Sequence, residues 1–146
     1  NEGVLYSNSF GPATVYLSTA LAAGASAAEM SYGLKFATGA VTVGVGMQEA
    51  AAGDVTGVDV SGDLGGLGFD VYYSDQDGGP SAYGTILSYD TGAATVQFGY
   101  ADNDNVADAA MGVGFSMDLG GGAELAGGVA DDGNNTNWDL GISMDF

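Results

Sequence analysis

The sequence predicts an all-β protein: residues 1–146 form a single segment of a transmembrane, antiparallel, up-and-down β-barrel. Three features predict this fold: apolar residues alternate with small or polar ones, short glycine turns recur about every 27 residues, and the chain ends on an aromatic residue. Because successive strand side chains point to opposite faces, such alternation gives each strand one apolar and one polar face. A strand between lipid and water needs this arrangement.

The final segment shows the alternation most clearly. Its apolar positions are Trp138, Leu140, Ile142, Met144 and Phe146, and the residues between them are Asp139, Gly141, Ser143 and Asp145. An amphipathic strand that ends on a terminal aromatic is typical of bacterial outer-membrane barrels. The predicted location is therefore the bacterial outer membrane.

Glycine turns divide the chain into hairpins. The short turns are predicted at Gly11-Pro12, Gly39-Ala40, Gly65-Gly66, Gly92-Ala93 and Gly120-Gly121. Longer acidic or small-residue loops lie between them, at 22–28, 49–54, 75–81, 102–107 and 131–136. Short turns at one rim and longer loops at the other match the periplasmic and extracellular ends of a bacterial barrel.

Eleven strands are predicted, at residues 4–10, 13–21, 28–37, 40–48, 55–64, 67–75, 81–90, 94–101, 108–119, 122–130 and 137–146. Bacterial single-chain barrels have an even number of strands. An open sheet would also leave backbone groups unpaired in lipid, at several kcal/mol each. We therefore expect further strands upstream of this sequence.

The two predicted faces have different roles. The polar face is expected to line water, through Lys35, Glu29, Asp59, Asp63, Asp70, Asp118, Glu124 and Asp139. A lining rich in acids favours cations; the alternative is that these side chains are simply solvated and have no net effect on ion selectivity. Aromatic residues near the strand ends are expected to form two interfacial girdles, through Phe10, Phe36, Tyr73, Tyr89, Tyr100, Trp138 and Phe146.

A soluble β-sandwich also alternates, but its outer face would carry Lys, Glu and Arg. Here the polar face is mostly Gly, Ser and Asp, which disfavours the sandwich.

Composition excludes several classes of function. The chain has 19 acids, one Lys or Arg, and a formal net charge of −18, so it repels nucleic acid. It has no His and no Cys, so neither a Ser-His-Asp triad nor a thiolate or His metal site can form within it. We expect no enzymatic activity and no required cofactor.

The acidic loops suggest one metal. Asp75, Asp77, Asp102, Asp104 and Asp108 provide hard oxygen ligands at close spacing, which suits Ca²⁺. Neither loop has a full twelve-residue calcium loop ending in Glu. The alternative is diffuse contact with divalent ions at the lipopolysaccharide surface.

Three segments resemble the general diffusion porins of Rhodobacter-type alphaproteobacteria: residues 1–15, the glycine-rich hairpin at 117–132, and 139–146 at the end of the chain. The likeness extends over essentially the whole chain. It implies a homotrimer of 16-stranded barrels, with a constriction loop after the fifth strand. Eleven strands counted back from the sixteenth begin just after that loop, so the constriction would lie upstream of this sequence.

The resemblance implies a water-filled channel for passive diffusion of small hydrophilic solutes and ions, surrounded by outer-membrane lipid and lipopolysaccharide. The competing interpretation is a non-conducting outer-membrane barrel that serves as a structural anchor, adhesin or phage receptor. Steady ion current through a bilayer would distinguish the two.

Overall fold

Apolar residues alternate with small or polar ones along this chain, and the structure forms strands along nearly all of the part that it describes. The computed structural model describes residues 3–20, 29–105 and 108–144. The strands are β1 (Gly3–Phe10), β2 (Ala13–Ala20), β3 (Met30–Thr38), β4 (Val41–Gln48), β5 (Val55–Leu64), β6 (Leu67–Gln76), β7 (Ala82–Asp90), β8 (Thr95–Asn103), β9 (Ala110–Gly120), β10 (Ala123–Asp131) and β11 (Thr136–Met144). In these ranges no helix is long and apolar enough to cross a membrane.

All eleven strands belong to one sheet, in sequence order from β1 to β11. Neighbouring strands pair antiparallel, so the topology is a continuous up-and-down meander. Strands β1 and β11 form the two edges, and the sheet is open. The predicted fold class, strand number and strand order are confirmed.

Positive backbone φ angles explain the glycine turns. Gly65 and Gly66 have φ values of 67° and 91°, as a tight hairpin with two left-handed residues requires. At the β9–β10 hairpin the turn lies at residues 121–122, one position beyond the prediction. Gly120 joins β9 with a φ of 80°, its amide donates to Asp118 Oδ1 at 2.7 Å, and the register shifts between Ala123 and Glu124. Three consecutive glycines make this bulge possible.

No hydrophobic core exists within the described part of the chain, because none of its hydrophobic side chains is buried. Even in the middle of the sheet, Val45 is 46% exposed. A soluble sandwich would cover this apolar face with a second sheet, whereas all the described strands lie in one. An uncovered apolar surface of this extent needs lipid or protein against it.

Strand ends differ from the predicted bounds by one or two residues. Strand β3 begins at Met30 rather than 28, and β9 covers Ala110–Gly120 rather than 108–119. The predicted loop at 22–28 and the terminal positions Asp145 and Phe146 lie outside the described residues, as do 106–107 of the loop predicted at 102–107.

Candidate channel wall

Strand pairing determines which side chains share a face, because residues directly opposite each other in neighbouring strands point the same way. Lys35 pairs with Gly44, Gly44 with Asp59, and Asp59 with Tyr72. When such rows are followed across the sheet, all the predicted lining residues that lie within strands are on one face, which we call the polar face. These residues are Lys35, Asp59, Asp63, Asp70, Asp118, Glu124 and Asp139. Glu29, just before β3, has the same parity as Lys35. Their role in lining a channel stays a prediction.

Some of these charges are neighbours in the sheet. Asp118 and Glu124 pair directly across β9 and β10. Asp139 pairs with Gly128 on β10. With Glu29 included, the predicted set combines seven acids with the single lysine, so the polar face carries negative charge from β3 to β11.

Asp59 has the most specific geometry of the set. A Cβ atom on Gly44 would collide with Asp59 Oδ1 and lie 2.9 Å from its Cγ. The carboxylate therefore lies across β4, above the buried Gly44, toward the strand that carries Lys35. Asp59 is half-buried, whereas Lys35 is exposed.

The opposite face is apolar. Its central rows include Leu34–Val45–Val58 and Phe36–Val43–Val60, which continue across β3, β4 and β5. Trp138, on the edge strand β11, is 79% exposed on this face. We call this side of the sheet the apolar face.

The described aromatics of the predicted girdles all lie on the apolar face. Phe10, Phe36 and Tyr89 are near the short turns, and Tyr73, Tyr100 and Trp138 are near the longer loops. The sheet thus has an aromatic row toward each end. Phe146 lies outside the described residues, and the interfacial role of the others stays a prediction.

A hydrogen-bonded tyrosine cluster lies at the loop end of the apolar face. Tyr83 and Tyr100 both donate to Asp102 Oδ2, at 2.9 and 3.2 Å, and their ring centroids are 6.2 Å apart. Tyr73 donates to Ser81 Oγ at 3.4 Å. Sequence reasoning did not include Tyr83 in the girdle, although its pairing with Tyr73 follows from the hairpin register.

Three of the five candidate calcium ligands, Asp75, Asp102 and Asp104, accept hydrogen bonds from protein groups. Ser81 Oγ donates to Asp75 Oδ1 at 2.6 Å, and the Ser81 amide donates to Asp104 Oδ2 at 3.2 Å. No three acidic side chains come together as a metal site among the described residues. Asp77 and Asp108 join no such group there either. The calcium site remains an untested prediction.

Two tyrosines on the polar face were not predicted as site residues. Tyr16 pairs with Gly33, and Tyr72 pairs with Asp59, so both point to the same side as Lys35. The signal was present in the alternation, since each tyrosine lies between two apolar-face residues. The two tyrosines line a groove on the polar face with a volume of about 480 Å³.

Comparison with known proteins gives a result at the level of fold. No family model matches the sequence, and no curated protein matches it. Solved structures do match, among them engineered variants of the porin from Rhodopseudomonas blastica.

One variant of this porin has a TM-score of 0.75 and 19% sequence identity, covering 99% of this chain and 55% of the porin chain. A second has a TM-score of 0.76 at 18% identity, with the same coverage of 99% and 55%. A structure described as "Asymmetric conductivity of engineered proteins" matches with a TM-score of 0.75 at 19% identity. The chain spans about half the length of the porins it matches, 55%. The porin fold expected from the sequence resemblance is confirmed: this chain folds as these porins do over nearly all of its length.

Proposed function

We propose that this chain is part of an outer-membrane porin, a water-filled channel through which small hydrophilic solutes and ions diffuse passively. The observation that carries the proposal is the separation of the two faces across ten consecutive strand pairs. One face is apolar and uncovered, and the other combines glycines, hydroxyls and carboxylates. In a membrane barrel built from such a sheet, the apolar face contacts lipid and the polar face lines the interior.

Closure of the barrel requires more strands than the described sheet contains. Unpaired backbone groups on β1 and β11 would each cost several kcal/mol in lipid. The matched porin chains are longer, since this chain covers 55% of them. We propose that additional strands of the same protein close a 16-stranded barrel, and that the barrels associate as a homotrimer in contact with outer-membrane lipid and lipopolysaccharide.

The channel is proposed to favour cations. Its predicted lining has seven acids against one lysine, and a wall dominated by carboxylates raises the local concentration of counter-ions. No conformational cycle is needed for this mechanism, because a continuous polar wall replaces bulk hydration along the path. The chain presents no His or Cys for catalysis, and we propose that it has no enzymatic activity.

Reconstitution of the purified protein in planar bilayers tests this function. The expected result is stepwise, steady conductance in potassium chloride. In a salt gradient, the sign of the reversal potential should show that cations permeate more readily than anions. Absence of steady current from folded protein would favour a non-conducting barrel. The intact mass of the denatured polypeptide tests closure: a mass about twice that of these 146 residues supplies the remaining strands, whereas a mass matching them alone requires closure by association with other chains.

A further inference from the structure

Two tyrosines at the loop end of the apolar face share one hydrogen-bond acceptor. Tyr83 on β7 and Tyr100 on β8 both donate to Asp102 Oδ2, at 2.9 and 3.2 Å. Tyr83 lies directly opposite Asp102, and Tyr100 lies opposite Thr85, so the two tyrosines are diagonal neighbours on one face. Their ring centroids are 6.2 Å apart with an interplanar angle of 36°, which is within the usual range for paired aromatic rings, about 4.5–7 Å.

The shared acceptor is a carboxylate, and this matters for oxidation of the rings. A phenol loses an electron more readily when its proton leaves at the same time, because no radical cation then has to form. Both hydroxyls are within hydrogen-bond reach of Asp102 Oδ2, so this oxygen can take a proton from either ring. The other oxygen, Oδ1, accepts from the Asn103 amide at 2.7 Å, which orients the carboxylate.

This arrangement distinguishes the pair from the other tyrosines. Among the described residues, Tyr83 and Tyr100 are the tyrosines whose hydroxyls donate to a carboxylate. Tyr73 lies directly opposite Tyr83 across β6 and β7, but its hydroxyl donates to Ser81 Oγ at 3.4 Å, a neutral group. Tyr83 is 41% exposed, so a dissolved oxidant can reach its ring.

We propose that Tyr83 and Tyr100 form an oxidative modification site, at which a one-electron oxidant joins the two rings as dityrosine. Each tyrosine gives one electron to the oxidant and its phenolic proton to the Asp102 carboxylate, which passes the proton to water. The two neutral phenoxyl radicals then form a carbon–carbon bond between ring carbons ortho to the oxygens. Transfer of the hydrogen on each of these carbons to its oxygen restores both phenols. The balance is the loss of two electrons and two protons, and β7 and β8 become covalently linked.

Photo-oxidation of the purified, detergent-folded protein tests the site. Illuminated tris(bipyridine)ruthenium(II) is oxidised by persulfate to ruthenium(III), which is the one-electron oxidant. The expected product is a single polypeptide with dityrosine fluorescence and a mass lower by that of two hydrogen atoms. Proteolytic cleavage before aspartates places Tyr83 in residues 77–89 and Tyr100 in residues 90–101. A linked pair of these two peptides identifies the cross-link.

Substitutions separate the roles of the two rings and the carboxylate. Tyr83→Phe and Tyr100→Phe each keep an aromatic ring without a phenolic proton, and each should abolish the linked pair. Asp102→Asn keeps an oxygen that accepts hydrogen bonds but cannot take the proton, so the yield should fall severalfold. Tyr89→Phe is the matched control, because Tyr89 shares the strand, the face and the peptide of Tyr83; it should leave the yield unchanged. Circular dichroism checks that each variant folds.

Several results would overturn the site. One is the absence of a link between residues 77–89 and 90–101, and another is a dominant link from 77–89 to residues 70–74, which contain Tyr73. An equal yield in Asp102→Asn and the unmodified protein would refute the carboxylate as proton acceptor. Links formed only between separate chains would refute the pairing within one sheet. The experiment does not depend on ion conduction, so its failure leaves the proposed channel in place.

Discussion

Lys35 and Asp59 lie in the same row of the sheet, on the polar face, with only Gly44 between them. Two inter-strand steps separate their backbones by about 10 Å. The Asp59 carboxylate reduces this separation by lying across Gly44 toward β3. The only lysine or arginine of the chain thus lies in the same row as one of its 19 acids, and the glycine between them leaves room for the Asp59 carboxylate.

Reversing the charge of Lys35 is expected to increase cation preference. Lys35→Glu replaces the one cation of the predicted lining and changes the local charge by two units. The zero-current potential in a potassium chloride gradient should shift toward the cation limit. The shift should be larger at low salt, because the Debye length is about 30 Å at 0.01 M and about 10 Å at 0.1 M.

Lys35→Arg is the matched control, since it keeps the charge at that position. It should leave the zero-current potential close to that of the unmodified protein. An unchanged potential in Lys35→Glu would show that Lys35 does not influence permeating ions, as expected if these side chains are simply solvated.

Gly44→Ala should displace the Asp59 carboxylate. The added Cβ would occupy the position of Asp59 Oδ1, and because a side-chain end can rotate away, the protein should still fold. The expected result is a change in the zero-current potential in the same direction as that of Asp59→Asn, but smaller. Gly46→Ala is the control on the same strand and face, because its Cβ would be 3.7 Å from the nearest atom and would not meet Asp59. Equal effects in the two alanine variants would contradict this role for Gly44.

A charge should be tolerated on one face of β4 and not on the other. Val45→Lys places an ammonium on the apolar face near the middle of β4, where a lysine or arginine at the bilayer midplane costs about 2–4 kcal/mol. Gly46→Lys, one residue later, places the same group on the polar face and should cost far less. Denaturant unfolding in lipid vesicles measures the difference in unfolding free energy. Equal losses in the two variants would contradict the assignment of lipid to the apolar face.

The alternation of side chains made the fold and the faces predictable. Because strand side chains repeat with a period of two, the parity of Lys35 or Asp139 could be read from the sequence alone. Hairpin closure by glycine turns then fixed neighbours in the sheet. The β9–β10 turn was misplaced by one residue because three glycines in succession allow more than one turn position, and the Asp118 carboxylate selects one by accepting from Gly120.

Side-chain direction along the sheet could not be predicted in the same way. Parity places Asp59 and Tyr72 on the polar face but does not say that one lies over β4 and the other over β7. These directions depend on the empty space above Gly44 and Gly84, each contributed by a neighbouring strand. The groove on the polar face likewise depends on side chains from five strands, β2 to β6.

The β10–β11 loop should respond to acid through Asp132. The amides of Asn134 and Asn135 donate to Asp132 Oδ1 at 2.9 and 2.7 Å, and these hydrogen bonds hold the pKa of the carboxyl below its ordinary value. Because the folded-state pKa of Asp132 is lowered, its carboxylate stabilises the folded loop fully above the unfolded-state pKa. This contribution is lost as pH falls through the folded-state pKa.

Amide hydrogen exchange measures this response. Exchange at Asn134 and Asn135, corrected for intrinsic pH dependence, should lose protection as pH falls below the ordinary range of an aspartate. Asp132→Asn should reduce this protection and remove its pH dependence. A pH response of unchanged size in Asp132→Asn would assign it to another group, such as Asp131, which accepts from the Gly133 amide at 2.8 Å.

Two glycines with equally free surroundings should respond differently to alanine. Gly39, in the β3–β4 turn, has a φ of 57°, and a Cβ there would meet nothing within 4 Å. Gly99, within β8, also has nothing within 4 Å of a Cβ, but it lacks a positive φ. Gly39→Ala should lose about 1–2 kcal/mol of unfolding free energy, because an L-residue is strained in the left-handed region. Gly99→Ala should be neutral or gain about 0.5–1 kcal/mol, because it restricts the unfolded chain. Denaturant midpoints of the two variants in the same vesicles compare them directly. If Gly99→Ala lost as much unfolding free energy as Gly39→Ala, crowding in the closed barrel rather than turn geometry would determine the loss of stability.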